Sequence, residues 1–324
     1  YNQPAIPYPG KSDIGNKVTG LLQDDEGNVW ANTATSLAAT SGNQLQLLPL
    51  YDKATFETIR AMLRDYQDNF WVSAAGRLVK YTAANGSYTK KDYRFAELNS
   101  KTDITCLYQD INHHIWVGTM GGGLFLLDPQ TGKYRALNEN PILKNASILS
   151  ITGNSKNVCV GGFEGVATVF DIENANTDIN TRYRYSNYNN NENIATNYIY
   201  SIYKDTRNRI WFAMGEKGLN VLENGRFVHY GKENGLLDDR IFSIAEDKKG
   251  NIWFNTKSAG IYCFNGKNFK NYSTASGLSD LEIVSLKTDP WGNIIVVNRK
   301  GLDILDPNTG TFSYADNNHG IADV

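Results

Sequence analysis

The sequence predicts an all-β fold made of repeated four-stranded antiparallel units. Three observations carry this. A short pattern recurs seven times across the 324 residues. Its spacing, about 42 residues, is that of four-stranded propeller blades. The residues around each copy have strand and turn chemistry rather than helical periodicity. The clearest copy is EDKKGNIWFNT, ending at Thr256. Others are QDDEGNVWANT ending at Thr33, RDYQDNFWVSA at Ala74, QDINHHIWVGT at Thr119 and KDTRNRIWFAM at Met214. Two worn copies surround Cys159 and Ile295, so the Trp-equivalent positions are 30, 71, 116, 159, 211, 253 and 295.

The first strand of each unit precedes a recurring acid or amide: Asp24, Asp65, Asp110, Asn154, Asp205, Asp247 and Asp289. Six residues upstream of it lie Val18, Ile59, Ile104, Ile148, Ile199, Ile241 and Ile283, all β-branched. Two residues further on the occupant is always small: Gly20, Ala61, Cys106, Ser150, Ser201, Ser243 or Ser285. A β-branched residue with a fixed small neighbour suits an innermost strand in a tight spot.

A turn follows. Three residues after the acid stand Gly27, Asp68, His113, Asn157, Asn208, Gly250 and Gly292. These types tolerate positive φ, and an Asp or Asn three residues earlier marks a type I turn. The acid therefore reads as a turn former whose side chain bonds backbone amides, not as a catalyst, and its loss is expected to cost on the order of 1 kcal/mol. The second strand opens on an apolar pair such as Ile252-Trp253, apolar on both faces, as a strand packed between neighbouring sheets must be. A Gly and an aliphatic residue open the third strand, as in Gly218-Leu219, and segments such as RFVHY supply the outer one. Seven such units arranged radially make a seven-bladed β-propeller, expected as a single domain over 1–324. One connection is irregular: 174–198, rich in Asn and Tyr, between the fourth and fifth units. The closing NHGIADV resembles the GL lead-ins of the sixth and seventh units. The natural polypeptide is therefore expected to continue into a further repeat.

Composition bounds the chemistry. A net charge of -2 gives no reason to expect nucleic acid or an anionic membrane as partner. No apolar run is long enough to span a bilayer. Cys106, Cys159 and Cys263 are too few and scattered for a disulfide framework or a metal site. His113 and His114 are adjacent at a turn–strand junction, where successive side chains point apart, so no joint metal site is expected. MGGGL (120–124) precedes a strand and fails the dinucleotide pattern. No cofactor, metal or catalytic constellation is expected.

The stretch GLLDDRIFSIAEDKKGNIWFNTKSAGIYCFNGKNFKNY, with its GL lead-in, Ser-Ile strand, D-x-x-G-N-I-W turn and G-I strand, resembles the two-component regulator propeller repeat. The resemblance extends along the whole chain and is weakest in the fourth unit. It implies the periplasmic region of a hybrid sensor histidine kinase. There such propellers usually come in pairs, ahead of an immunoglobulin-like module and a membrane span, and many detect glycan fragments. The implied partners are an oligosaccharide, a following propeller with its membrane-linked module, and a second copy in a dimeric full-length sensor. A non-sensing scaffold of a secretion or cell-envelope assembly is the alternative, and a propeller lyase or lactonase is a more distant one. Two residues separate acid from glycine in Asp247-Lys248-Lys249-Gly250, where the Asp-box of sialidases has one.

Candidate site residues follow from this topology. Asp103, Arg240 and Glu282 precede inner strands and read as solvated rim charges. The loops between second and third strands share an end with the lead-ins, which puts Phe163, Glu164, Glu216, Lys217, Lys257, Arg299 and Lys300 on one face. If the 174–198 insertion follows the outer strand of the fourth unit, Arg182, Tyr183, Arg184, Tyr185 and Tyr188 join them. Tyrosines offer flat faces for sugar rings and arginines fork onto acidic groups. Ligand binding is therefore expected at Arg182, Tyr183, Arg184, Tyr185, Tyr188, Lys217, Lys257 and Arg299.

Overall fold

A computed structural model describes residues 60–74, 76–84, 87–172, 178–188, 198–289 and 291–315, together with the backbone strands Val18–Gln23, Val29–Thr33, Leu37–Ser41 and Gln44–Leu47. The expectations for Asp24, Gly27, Ile59 and the segment 316–324 lie outside them, as do 173–177 and 189–197 of the insertion. Among the described residues, all regular structure apart from short 3-10 turns is β. Strands form four-stranded antiparallel sheets, each strand paired with its neighbours in sequence. The sheets span 18–47, 62–94, 104–136, 148–187, 199–230, 241–272 and 283–315 and are called sheets 1 to 7 in that order. The all-β, propeller-like architecture expected from the sequence is thus present. The chain divides into two compact units, Arg60–Ile244 and Tyr1–Ile59 with Ala245–Val324.

Second strands are buried on both faces, as their composition requires: every residue of Phe70–Ala74, Ile115–Thr119, Ile210–Met214 and Ile252–Thr256 is buried. The regular small residue in the first strands has a structural cause. The register shifts between Ile148 and Ser150, Ile199 and Ser201, and Ile283 and Ser285, and the same shift occurs in sheet 3 opposite Gly118. This repeated bulge lets neighbouring first strands approach, and the Ile202 amide donates to Ser150 Oγ at 3.1 Å. A larger residue at position 150 would push those strands apart.

The turn reading holds in five repeats. Asp68, His113 and Asn208 have φ near +64 to +68°, and Gly250 and Gly292 are also positive. The fourth repeat differs. Its hairpin pairs Gly153 with Val158, whereas sheet 3 pairs Gln109 with Ile115. One residue is missing from the turn, so Asn157 opens the strand Asn157–Gly162 and is not a positive-φ position.

The recurring acid does more than close the turn. Asp65, Asp110, Asp205 and Asp247 are buried, and one carboxylate oxygen accepts backbone N–H groups two and four residues on. The other accepts the indole N–H of Trp71, Trp116, Trp211 or Trp253 at 2.8–2.9 Å. The Asn of the motif adds a bond, from Asn251 Nδ2 to Asp247 at 2.8 Å and from Asn293 Nδ2 to Asp289 at 2.7 Å. The motif is one hydrogen-bonded unit that brings the indole N–H into the core with its partner.

Candidate functional site

The loops between second and third strands lie beside the lead-ins in the Arg60–Ile244 unit. Met120 N donates to Asp103 O at 2.8 Å, Phe163 N to Ser147 O at 2.9 Å and Gly215 N to Tyr198 O at 3.2 Å. In sheet 4 the sequence FEGV forms a tight turn, Glu164 at φ 56° and Gly165 at φ 72°. Two successive positive-φ residues define a type I′ turn. It thrusts Phe163 toward Tyr198, with which it forms an isolated antiparallel bridge.

A row of aromatic rings results. Phe163 meets Tyr198 edge-on at 5.3 Å and Tyr200 at 6.1 Å, and Tyr200 meets Phe242 edge-on at 4.9 Å. Tyr198 and Tyr200 are nearly parallel, 6.4 Å apart. Tyr198 is 41% exposed and the other three are half-buried. Gly215 makes room: a Cβ there would lie 2.6 Å from a Tyr200 ring carbon. Sequence reasoning named Phe163 but missed Tyr198, Tyr200 and Phe242. A signal exists. The residue after the β-branched position of the first strand is Arg60, Thr105, Leu149, Tyr200, Phe242 and Val284 in successive repeats, aromatic only in two neighbours.

The rim charges are paired close to home. Asp103 binds Arg60 Nε at 2.8 Å. Arg240 forks onto Asp238 at 2.8 and 3.0 Å. Lys217 is exposed on its second-to-third loop in this unit. In the other unit Lys257 is exposed on the corresponding loop, and Arg299 pairs with Glu282 at 2.6 Å.

The insertion does not follow the outer strand of sheet 4. It contains that strand, Arg184–Asn187, so the described residues 178–183 lie between the third and outer strands in sequence, at the opposite end from Phe163. Tyr183 is core, 6% exposed, with its ring 5.3 Å from Trp116. Arg135 fastens this segment: its Nε and Nη2 donate to Ile179 O and Thr181 O at 2.5 and 2.6 Å, its guanidinium lies 5.7 Å from the Tyr183 ring, and Glu139 accepts at 2.6 Å. Arg182 is exposed beside it. Arg184, Tyr185 and Tyr188 line a groove of about 480 Å³ between sheets 4 and 5. The expected cluster is therefore divided among a core position, a lateral groove and the opposite end of the sheets.

The residues with intrinsic reactivity are occupied structurally. Burial pushes the thiols of Cys106, Cys159 and Cys263 up to about 12, and all three are free cysteines. His113 stacks on Tyr66 at 3.6 Å while His114 is buried beside Asp110. The two rings point apart as expected.

Three segments, 98–121, 193–216 and 235–258, match the model of the two component regulator propeller family. No curated protein matches the chain. Among solved structures, it is similar to the extracellular domain of a protein described as a hybrid two component system from B. thetaiotaomicron, with a TM-score of 0.72, 23% identity, and coverage of 91% of this chain and 40% of that one. It is similar to virginiamycin B lyase from Staphylococcus aureus, with a TM-score of 0.66, 15% identity and coverage of 88% and 92%. It is also similar to PorZ, a surface component of the type-IX secretion system of Porphyromonas gingivalis, with a TM-score of 0.66, 15% identity and coverage of 92% and 47%. The chain thus spans less than half the length of the first and third of these. At such identities the likeness is one of fold. The matched segments thus carry the two component regulator propeller repeat in the third, fifth and sixth units.

Proposed function

We propose that this chain is an extracytoplasmic ligand-recognition module of a two-component sensor, its sheets closing as the seven blades of one ring. The observation that carries the reading is the half-exposed row of Phe163, Tyr198, Tyr200 and Phe242 at the end that bears the second-to-third loops. Rings held by their neighbours offer flat apolar faces at low entropic cost, and tyrosine hydroxyls supply polar edges. Oligosaccharide fragments fit that chemistry. The Asp238–Arg240 pair and Lys217 stand on lead-ins and loops of the same end. In the complete polypeptide, a following propeller, a membrane-linked module and a second copy would carry the signal.

The likeness to PorZ keeps a scaffold role as the second reading, and the likeness to virginiamycin B lyase is its enzymatic counterpart. The three rim acids or bases singled out by sequence are each held in an ion pair, which favours binding over turnover. Calorimetric titration of an oligosaccharide panel tests the recognition proposal. Tyr200→Ala is expected to weaken a bound fragment about tenfold, a loss of roughly 1.4 kcal/mol, with the fold intact. Undiminished affinity in Tyr200→Ala and Phe163→Ala would remove this end as the recognition surface.

A further inference from the structure

The groove between sheets 4 and 5 has a cause in the repeat. Trp71, Trp116 and Trp253 each pack against the following sheet. Trp116 packs on Leu126 in its own sheet and on Val158 and Phe170 in sheet 4. In sheet 4 the same position is Cys159, which packs toward sheet 5 with Ile210 and Leu222. Val169 is the cross-strand partner of Cys159, as Leu126 is of Trp116. Val169, Ile210 and Leu222 are thus the counterparts of the residues that hold an indole one sheet earlier. All three line the groove. The place of the indole is here open from outside, with an apolar floor and a volume of about 480 Å³, the size of a small-molecule site.

The polar partner has changed as well. Where Trp116 donates to Asp110, the fourth repeat has Asn154, whose amide turns to Asn208 at 3.3 Å. No carboxylate stands at that position. Lys204 stands at the rim instead, half-buried, with Nζ held at 2.6 Å by Asn157 Oδ1. An ammonium has three donors, and this bond uses one of them. Arg184 supplies a second cation from the outer strand, and Asp171, its cross-strand partner, is the one carboxylate of the lining. Tyr188 closes one side, its ring 5.9 Å from Phe227. The arrangement inverts the one in sheets 2, 3, 5 and 6. There the protein supplies indole and carboxylate together; here it supplies an apolar slot and cations.

We propose that this groove binds a small aromatic carboxylic acid, its ring in the slot that an indole fills in neighbouring sheets and its carboxylate between Lys204 and Arg184. The site lies at the end of the sheets opposite the Phe163–Tyr200 row and is independent of it.

Titration of the whole chain with indole-3-acetate and with neutral indole, followed by calorimetry or ligand-observed NMR, tests this. Indole-3-acetate is expected to bind saturably at a single site, at least about tenfold tighter than indole. Lys204→Met should bring indole-3-acetate down to the level of indole and leave indole unchanged. Cys159→Trp should abolish binding of both by filling the slot. Val169→Phe narrows the slot from the outer face and should do the same, which keeps the test intact if Cys159→Trp does not fold; near-UV circular dichroism reports the fold of each variant. Equal affinity for indole and its acid, undiminished binding by folded Val169→Phe, or no saturable binding up to millimolar ligand would each overturn the proposal.

Discussion

At the scale of the residue, one carboxylate does two things. Asp247 closes a turn through two backbone amides and accepts the N–H of Trp253 at 2.9 Å. Sequence reasoning saw the turn, because Asp followed three residues on by Gly is local chemistry. It did not see the indole bond, because that requires knowing that acid and indole fall on one side of a hairpin. The consequence is energetic. Asp247→Ala leaves a buried indole N–H and two amides without an acceptor, so the expected cost rises from about 1 to roughly 2–4 kcal/mol. Trp253→Ala should cost roughly 3–5 kcal/mol as a core truncation. Asp289 is an internal control, since its repeat has Ile295 at the motif's Trp position and its one indole, Trp291, is exposed. Asp289→Ala should therefore cost less than Asp247→Ala, about 1–2 kcal/mol. Urea unfolding of the variants measures both, and equal losses would mean that the indole bond contributes nothing. The cysteines give a second test. Their folded pKa values near 12 lie above the unfolded value of about 8.5. Burying the thiols therefore favours the folded state below about pH 8.5, and this contribution is lost as pH rises toward 12. At pH 8 about one thiol in ten thousand is ionised, so a disulfide reagent should label none of the three until denaturant is added.

At the scale of the element, the sequence was most legible where the repeat is regular. The first strands, the positive-φ turn residues Asp68, His113 and Asn208, and the buried second strands all follow from period and residue type. The fourth repeat was misread for a physical reason. Its outer strand, Arg184–Asn187, is short and exposed, with no alternation of apolar and polar residues to mark it. Only its pairing with Ala167–Asp171 makes it a strand. The insertion therefore looked like a loop, and Tyr183 like a ligand contact. Excising 178–192 would strip the edge of sheet 4 and a core ring, so loss of function after that deletion would say nothing about binding. A gentler change isolates the fastening. Arg135→Met keeps the aliphatic stem but removes the donors to Ile179 O and Thr181 O. It should cost about 2 kcal/mol, since bonds from a charged donor are among the stronger ones. It should also speed amide exchange in 178–183 while leaving sheet 5 unchanged. Exchange that stays as slow as in the unmodified chain would show that Tyr183 packing alone holds the segment.

At the scale of the whole molecule, the repeat argues for closure. An open row of sheets would leave one apolar face of its first sheet and one of its last uncovered, and second strands apolar on both faces need a neighbour on each side. That is the physical case for the proposed ring of seven blades over 1–324. It has a hydrodynamic signature. A single compact body of this length has a radius of gyration of about 20 Å. An open or divided arrangement is distinctly larger. Small-angle scattering from the purified chain is expected to give about 20 Å, with the distance distribution of one globular particle. The ring would also hold the Phe163–Tyr200 row and the groove beside Lys204 in fixed relation. A ligand at one site should then raise the unfolding temperature without changing the scattering curve. Scattering that reports an extended particle, or a curve that contracts when an aromatic acid or an oligosaccharide is added, would mean that the sheets do not form one rigid frame. Recognition would then have to be understood as closure of the chain around its ligand.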